Sequence, residues 1–505
     1  MADKKEYVVA ADCGTTGSKA VVFDSTGQNI ASGYHEYGLE FPKSGWVDQD
    51  PRMLFDSTIS VISEAVKKAN VNAKDVTCIC LSTQRCTLVA VDKFGSPLRK
   101  AISWQDNRTD VQCDIIRKKI GEDIFYDSTG LPVANVWTLP KIMWIKENEP
   151  DLYNVAFKFV NVQAYLNRLF GAEDFFDDFS NASLHGLMSV TKMNWMDDYI
   201  KTLGIDSGKL PILVGSGRNI GRLNKSIADK LGLLEGTPLI SGGGDQQCAA
   251  VGSNVISEGD CEVTLGTAGV TICSLDEPRL DPNRTIPCLV HAVDNKWTCE
   301  GLQNAAGASL KWLRNLLQES TPDKNSVDYG YIIEKLASKS SIGANGITFL
   351  PYLAGAGAPL WDGSARGVLF GIGLENNLAD ITRAVLEGIS FETASILDNF
   401  ARRNIEIKQI RMSGGGARSE LWGQIQADIF GIPMQRLEVD DATILGAAVL
   451  GAFGAGIYND VEKAAKKMVH TTSKFQPDMN NHQAYIEKRK SFDKLYKSVK
   501  TGGLF

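Results

Sequence analysis

The chain contains the stretch Asp12-Cys-Gly-Thr-Thr-Gly-Ser18 between two apolar segments, residues 7–11 and 19–23. The apolar residues on both sides predict two buried strands that form a hairpin around this turn. Glycine permits a positive φ and lets the backbone approach a ligand closely. Consecutive backbone N–H groups and threonine hydroxyls then form a concave site for an anion. A plain turn remains the alternative for this hairpin taken alone.

The second half of the chain repeats this pattern. Residues 261–273 read Cys-Glu-Val-Thr-Leu-Gly-Thr-Ala-Gly-Val-Thr-Ile-Cys, which again predicts a strand, a glycine–threonine turn and a strand. Two such turns on facing domains can hold a polyphosphate from both sides, and Asp12 directly before the first turn favours a nucleotide cleft. Strands alternate with helices in both halves, including a predicted helix over residues 441–453. We therefore expect an α/β protein with two related domains, residues 1–253 and 254–505.

Two further glycine clusters each precede a predicted helix. In Ser241-Gly-Gly-Gly-Asp-Gln-Gln247 a carboxylate follows a flexible turn directly. Asp245 can be a helix N-cap there or, in a cleft that holds ATP and a hydroxylated acceptor, it can accept the acceptor's proton. Met412-Ser-Gly-Gly-Gly-Ala-Arg418 follows an apolar strand, an arrangement in which a nucleotide base or ribose can lie against bare backbone. A tight strand–helix turn is the alternative for this cluster.

Composition and missing motifs exclude several classes of protein. The 505 residues carry 53 Lys+Arg and 60 Asp+Glu, a net charge of −7 without a block of like charge, so we expect no nucleic-acid partner. The P-loop pattern GxxxxGK(S/T) is absent, and the glycines of residues 215–221 have one residue too many for a dinucleotide fingerprint. Ten cysteines without a CxxC pair favour reduced, buried thiols over a zinc or redox site.

The expected location follows from the absence of membrane signals in the sequence. The longest run of low charge, residues 442–456, is short and rich in Gly and Ala, which argues against a membrane span. The N-terminal residues lead into the first predicted strand without an apolar signal region. We therefore expect a soluble cytoplasmic protein with no membrane partner.

Taken together, these motifs resemble the FGGY family of carbohydrate kinases, which includes xylulokinases and glycerol kinases. The resemblance runs from Tyr7 to about Gly456 and includes Lys141-Ile-Met-Trp144 and Gly367-Val-Leu-Phe-Gly-Ile372, the latter followed by Asp380-Ile-Thr-Arg-Ala-Val-Leu-Glu387. It implies two ribonuclease-H-like domains of the actin and hexokinase type, which flank a cleft for ATP, Mg²⁺ and a small sugar or polyol. It also implies a homodimer.

The same resemblance implies roles for individual residues. Asp245 would be the general base that takes the proton of the acceptor hydroxyl, and Asp12 would organise Mg²⁺ through water. The residues that would bind the nucleotide are Thr15, Thr16, Gly266 and Thr267 at the phosphates and Gly415, Gly416 and Ser419 at the adenosine. The residues that would form the acceptor pocket are Gln84, Arg85, Trp104, Asp106 and Gln246.

The acceptor loop Gln84-Arg-Cys-Thr87 departs from both family patterns. Xylulokinases usually carry Gln-Met-His-Gly there, and glycerol kinases carry Gln-Arg-Glu-Thr. Residues 135–141 and 266–270 resemble xylulokinases, whereas residues 244–247 and 357–362 resemble glycerol kinases. The loop alone therefore leaves both acceptors open.

Three positions favour a ketopentose. Relative to glycerol kinases, Cys86 replaces a carboxylate that grips glycerol, and Val136 and Val270 replace aromatic residues. A site that lacks the hydrogen-bonding partners of a substrate discriminates against it. We therefore expect a kinase for a ketopentose such as xylulose, with glycerol or another polyol as the alternative. An actin-type or chaperone-type ATPase is the alternative of a different class.

Overall fold

The computed structural model describes residues 5–320, 327–439 and 441–505. The strands before residue 253 are β1 (Tyr7–Cys13), β2 (Gly17–Asp24), β3 (Asn29–Glu36), β4 (Asp48–Gln49), β5 (Val76–Thr83), β6 (Leu88–Val91), β7 (Ala101–Ile102), β8 (Lys158–Asn161), β9 (Phe176–Asp178), β10 (Ile212–Val214), β11 (Asn219–Arg222) and β12 (Pro238–Gly244). The strands after residue 253 are β13 (Asp260–Leu265), β14 (Gly269–Leu275), β15 (Cys288–Val290), β16 (Trp297–Gln303), β17 (Thr348–Leu350), β18 (Val368–Phe370), β19 (Gln409–Ser413), β20 (Met434–Leu437) and β21 (Thr471–Phe475).

Helices lie between many of these strands. Those before residue 253 are α1 (Pro51–Ala69), α2 (Asp110–Lys119), α3 (Glu122–Thr129), α4 (Thr138–Asn148), α5 (Pro150–Val155), α6 (Val162–Phe170), α7 (Phe179–Ala182), α8 (Asp197–Leu203), α9 (Lys225–Leu231) and α10 (Asp245–Gly252). Those after it are α11 (Ala306–Glu319), α12 (Leu378–Arg402), α13 (Glu420–Phe430), α14 (Ala442–Gly454), α15 (Val461–Met468) and α16 (Met479–Thr501). Within the described ranges, none of the helices combines the length and the apolar character that crossing a bilayer requires.

The two large sheets share one strand order. The first contains the order β3-β2-β1-β5-β12 and ends in β11, and the second contains the order β16-β14-β13-β19-β20 between β15 and β21. In each sheet the first three strands of this order are antiparallel neighbours and the last three are parallel neighbours. Both sheets therefore have the ribonuclease-H-like topology, which confirms the expected α/β class with two related domains.

The alternation of residues along β1 creates two layers around the first sheet. Val9 and Ala11 join a core with α1, α6 and α9, whereas Val8 and Ala10 join a core with α10, α14 and α15. All four side chains have no exposed surface. Because successive side chains of a strand point to opposite faces, this continuous apolar segment is what a strand covered on both faces requires.

Packing crosses the boundary expected near residue 253. Helices α14 and α15 come late in the chain, yet their apolar residues share a core with the first sheet. Helix α10, which leads out of that sheet, crosses α14 with the two backbones in contact. A Cβ on Gly446 would lie 1.8 Å from the carbonyl oxygen of Cys248, and a Cβ on Gly252 would lie 1.9 Å from that of Ala442. The last part of the chain therefore anchors the second half against the first.

A small four-stranded sheet, in the order β4-β7-β6-β8, lies within the first half. Its strand β6 follows β5 of the large sheet after a short loop, and β7 is followed closely by Trp104. The acceptor loop of residues 84–87 thus connects the two sheets. This placement brings the loop and Trp104 to the same side of the first half.

The crossing of α10 and α14 generates a prediction about stability. Gly446→Ala should lower the free energy of unfolding by about 1–3 kcal/mol, because the added methyl group forces the two helix backbones apart. Urea denaturation measures this change. Gly38→Ala is the matched control, since a Cβ there meets nothing within 4 Å. Equal stability of the two variants would contradict the backbone contact.

Candidate active site

Three parallel strands of the first sheet end at the same edge. In the register of the sheet, Cys13 at the end of β1 and Gly244 at the end of β12 both lie beside Thr83 at the end of β5. Asp12 is one residue from the end of β1, and Asp245 begins α10 directly after β12. The two carboxylates therefore lie at the carboxyl edge of the sheet, where α/β proteins bind their ligands.

A cavity of about 600 Å³ lies at this edge, and we call it the acceptor cavity. Side chains that the sequence assigned to a cleft line it from the first half, and these are Thr15, Arg85, Trp104, Asp245 and Gln246. The second half contributes residues that include Val270, Glu300 and Trp361. The indole of Trp104 donates its Nε1–H to Thr15 Oγ1 at 2.9 Å, which fixes the ring as an apolar wall. A mostly apolar cavity with a few convergent polar groups is typical of a small-molecule site.

Asp106 lies behind the wall of this cavity rather than in it, which differs from the predicted contact with an acceptor. Its side chain is fully buried, and Arg108 donates to Oδ1 from Nε at 2.8 Å and to Oδ2 from Nη2 at 2.7 Å. The backbone N–H of Val47 also donates to Oδ2, at 2.5 Å. With both oxygens occupied, Asp106 supports the loop that carries Trp104.

Gln84 is also turned away from the cavity, in contrast to its predicted role. Its Nε2 donates to the carbonyl of Gly14 at 3.0 Å and to Gln49 Oε1 at 3.0 Å. Its Oε1 accepts from the hydroxyl of Thr87 at 3.0 Å. Gln84 therefore ties the first glycine turn to the acceptor loop.

Arg85 is the central charge of the acceptor cavity. Its Nε lies 2.9 Å from Asp245 Oδ1, and its Nη1 and Nη2 donate to the two oxygens of Glu300, each at 2.7 Å. Burial raises the pKa of Asp245 above its ordinary value, and the charge of Arg85 opposes that rise. The arrangement places one guanidinium between two carboxylates, one from each half of the chain.

Glu300 belongs to none of the motifs that predicted the site. The residue stands on β16, whose sequence Trp-Thr-Cys-Glu-Gly-Leu-Gln contains no other charged side chain. A single carboxylate in a strand of buried residues needs a partner, and that requirement was the available signal. The partner itself is not visible in the sequence.

Asp12 lies at the junction of the two halves. Burial, followed by the negative charges of Asp245 and Asp441, raises its pKa to about 8. Its Oδ1 is shielded from solvent and makes no hydrogen bond with any described residue. Nearby, Lys19 of β2 forms an ion pair of 2.9 Å with Asp441, the N-cap of α14. Asp12 is therefore a carboxyl group without a bonded cation of its own among the described residues.

A second cavity, of about 520 Å³, lies beside the turn of the second hairpin, and we call it the nucleotide cavity. Five predicted nucleotide residues line it together, namely Gly266, Thr267, Gly415, Gly416 and Ser419. Ser419 also caps α13, because its Oγ accepts from the backbone N–H of Trp422 at 3.0 Å. The two glycine clusters of the second half thus form one concave surface.

The structure adds residues to this cavity and leaves one prediction outside it. Lys311, Tyr329 and Glu334 also line the nucleotide cavity, and they belong to no motif that the sequence analysis identified. Thr16 is exposed at the first hairpin turn and lines neither cavity, whereas Thr15 lines the acceptor cavity. The hydroxyls of the first turn therefore face different surroundings.

Lys141 supports the acceptor cavity from behind. Its side chain is fully buried, and its Nζ donates to the carbonyls of Cys86, Val136 and Trp137 at 3.1, 2.5 and 3.2 Å. All three of these residues line the acceptor cavity. Burial lowers the pKa of Lys141 to about 8. One ammonium group therefore joins two separate segments of the cavity wall.

Removing this ammonium group should affect the acceptor more than the nucleotide. Lys141→Met leaves buried carbonyls unpaired, at about 1–3 kcal/mol for each, and releases the two wall segments. We expect kcat/KM for the acceptor to fall while the KM for ATP is nearly unchanged, as measured by steady-state kinetics. Lys158→Met is the matched control, since that Nζ donates to the carbonyls of Gly208 and Leu210 and lines neither cavity. A larger effect on the KM for ATP would contradict this role.

The raised pKa of Asp12 predicts a pH dependence of stability. An unfolded aspartate has a pKa of about 3.9, so between pH 4 and about 8 the folded ligand-free protein holds the extra proton. Stability from this group is therefore lost as the pH rises towards 8. Asp12→Asn lacks the titrating group, so its advantage in melting temperature should grow from pH 5 to pH 8, measured with EDTA present. A difference that stays constant with pH would contradict the raised pKa.

Comparisons with known proteins agree with this geometry. The model of the N-terminal domain of the FGGY family of carbohydrate kinases matches residues 7–252, and the model of the C-terminal domain matches residues 261–455. A xylulose kinase of Staphylococcus epidermidis is 32% identical over 496 residues, covering 98% of this chain and 97% of the relative. A glycerol kinase of Deinococcus radiodurans is 31% identical over 491 residues, covering 95% of this chain and 94% of the relative.

Solved structures establish the fold. The gluconate kinase from Lactobacillus acidophilus superposes with a TM-score of 0.90 at 23% identity, covering 98% of both chains. The xylulose kinase from the same organism superposes with a TM-score of 0.89 at 24% identity, again covering 98% of both chains. The expected resemblance is confirmed: the chain belongs to the FGGY family of carbohydrate kinases and is an ATP-dependent sugar kinase.

Proposed function

We propose that this kinase transfers the γ-phosphoryl group of ATP to a hydroxyl of a ketopentose, with xylulose as the favoured acceptor. The observation that carries the proposal is the position of Cys86, Val136 and Val270. These are the residues that depart from the glycerol-kinase pattern, and all three line the acceptor cavity. The similarity to xylulose kinases over nearly the whole chain supports the same acceptor.

The charges of the acceptor cavity favour an uncharged acceptor. Among the described side chains that line it, Arg85 is the one cation, and Asp245 and Glu300 are the anions. Arg85 contacts both carboxylates, so its positive charge is already balanced. A carboxylate on the acceptor would meet no free cation there. A ketose or polyol therefore fits this cavity better than an aldonate.

Asp245 is proposed as the general base. As the acceptor oxygen attacks the γ-phosphorus, its proton passes to the Asp245 carboxylate, and ADP leaves with the electrons of the broken P–O bond. Asp245 starts α10 and lines the acceptor cavity, so its side chain is held on a rigid element. Phosphoryl transfer requires mainly positioning and electrostatic stabilisation from a protein, and Arg85, Trp104 and Gln246 supply positioning here.

The nucleotide is proposed to bind in the nucleotide cavity, with its phosphates directed towards the first hairpin turn. The adenosine would lie against Gly415, Gly416 and Ser419, and the phosphates against Gly266 and Thr267. Bare glycine backbone suits the close approach of a ring or a phosphate. Thr15, which lines the acceptor cavity, would then lie beside the terminal phosphate of the nucleotide.

Asp12 fits a role in holding Mg²⁺. No described group of three or more His, Cys, Asp or Glu side chains could hold a metal by itself. Mg²⁺ usually keeps several waters and binds through one or two carboxylates plus substrate phosphates. The unpaired, shielded Oδ1 of Asp12 matches that requirement. When bound, Mg²⁺ would neutralise charge on the phosphates, and Asp12 would orient its water shell.

Glycerol is the second candidate acceptor. Trp361, from the segment that resembles glycerol kinases, lines the acceptor cavity together with Arg85 and Gln246.

We further propose that the enzyme acts as a homodimer in the cytoplasm. All ten cysteines are free and buried, which suits a reducing compartment.

A substrate comparison tests the acceptor assignment. A coupled assay monitors the release of ADP in the presence of ATP and Mg²⁺. We expect the highest kcat/KM with xylulose, a lower value with glycerol and no response to gluconate. A higher kcat/KM with glycerol would replace the first candidate by the second. Turnover of gluconate would contradict the charge argument for the cavity.

A single substitution tests the general base. Asp245→Asn should bind ATP normally but lose about 10²–10⁴-fold in kcat, because the amide cannot accept the hydroxyl proton. Asp229→Asn, at an exposed position of α9, is the control and should leave kcat unchanged. Near-normal turnover by Asp245→Asn would remove Asp245 from the role of base.

A further inference from the structure

An ion pair between Arg85 and Glu300 crosses from one half of the chain to the other. Arg85 lies on the acceptor loop after β5, and Glu300 lies on β16 of the second sheet. The two side chains are only 15% and 11% exposed, and both guanidinium–carboxylate contacts measure 2.7 Å. Parallel, bidentate contacts of this kind are strong and fix orientation as well as distance.

This ion pair determines which edge of Arg85 meets Asp245. Of the five N–H donors of Arg85, one on Nη1 and one on Nη2 point to Glu300, and Nε lies 2.9 Å from Asp245 Oδ1. Nη1 has one further acceptor, Gln247 Oε1 at 3.3 Å. Arg85 Nε therefore meets Asp245 at Oδ1, the oxygen that also accepts from the backbone N–H of Gln246 at 2.7 Å.

We propose that Glu300 is a positioning residue for the phosphoryl transfer: it holds the guanidinium fork of Arg85 so that Asp245 keeps an oxygen free to accept the acceptor's proton. The inference rests on the proposed role of Asp245 as general base. Without Glu300, the fork of Arg85 is free to bind both oxygens of Asp245, since this is the preferred geometry of an arginine with a carboxylate. A base paired at both oxygens is a poorer proton acceptor.

Because of Glu300, the alignment of Asp245 depends on the contact between the two halves of the chain. Asp245 and Arg85 belong to the first half, whereas Glu300 reaches them from the second sheet across the acceptor cavity. The contact of Arg85 Nε with Asp245 Oδ1 therefore depends on β16 facing the acceptor loop. The correctly aligned base is a property of the assembled cleft and not of the first half alone.

The test compares Glu300→Gln, Glu300→Asp and Arg85→Met with the wild type under saturating ATP and Mg²⁺. Glu300→Gln should lower kcat by about 10²-fold, the scale expected of a displaced catalytic group, with a much smaller change in the acceptor KM and none in the KM for ATP. Glu300→Asp keeps the charge and should recover part of the loss. Glu258→Gln is the control, because it breaks the comparable Arg279–Glu258 pair outside both cavities.

A double-mutant cycle separates an action through Arg85 from a direct one. If Glu300 acts through Arg85, the variant that combines Glu300→Gln with Arg85→Met has the same kcat as Arg85→Met alone. Additive losses, or a Glu300→Gln effect confined to the acceptor KM, would overturn the proposal, because Glu300 would then contact the acceptor itself. Wild-type kcat in Glu300→Gln, or in Glu300→Met if the glutamine variant does not fold, would also overturn it.

The variants distinguish an error in the role of Glu300 from an error in the role of Asp245. If Asp245→Asn is inactive while Glu300→Gln turns over normally, Asp245 remains the base and only the role of Glu300 is lost. If Asp245→Asn turns over normally, the proposed base is wrong whatever Glu300 does. Melting curves of each variant establish that the comparison is made on folded protein.

Discussion

The backbone contact between α10 and α14 is the constraint on which the rest of this structure depends. Helix α10 begins with Asp245, and α14 follows Asp441, whose side chain pairs with Lys19 of the first sheet. Because Gly252 and Gly446 carry no Cβ, the two helices approach until their backbones touch. This crossing fixes the second half against the first sheet, and it thereby fixes the cavity that both glycine hairpins line, through Thr15 and Ala268.

The chemistry of the cleft follows from a shortage of positive charge. Asp12, Asp245 and Glu300 are all partly buried, and burial raises the pKa of both aspartates. Arg85 compensates two of these carboxylates, Asp245 and Glu300, whereas Asp12 lacks such a partner. The Mg²⁺ ion that accompanies ATP would bring positive charge to Asp12, and an uncharged sugar would leave the Arg85 pair intact. The electrostatic arrangement thus suits both proposed ligands.

Local patterns were sufficient to predict both hairpins, the α/β class and the helix now seen as Ala442–Gly454. They could not show that this helix packs on the first sheet, because it is buried on all sides and its pattern favours no partner. Nor could they reveal the contact between Arg85 and Glu300, because these two residues are 215 positions apart in the sequence. Asp106 was assigned to the acceptor because its motif matched, whereas Arg108 two residues later takes up its carboxylate. Such contacts depend on tertiary packing that a motif does not encode.

A kinase of this kind passes the γ-phosphoryl group to a carbohydrate hydroxyl within the cleft and not to water. Release of ADP alone does not distinguish these outcomes. Phosphorus NMR of a reaction with ATP, Mg²⁺ and xylulose makes the distinction directly, because a sugar phosphate and inorganic phosphate give separate signals. We expect a sugar-phosphate signal that grows in equal amount with ADP. Inorganic phosphate as the product, with no sugar phosphate from xylulose or glycerol, would contradict it.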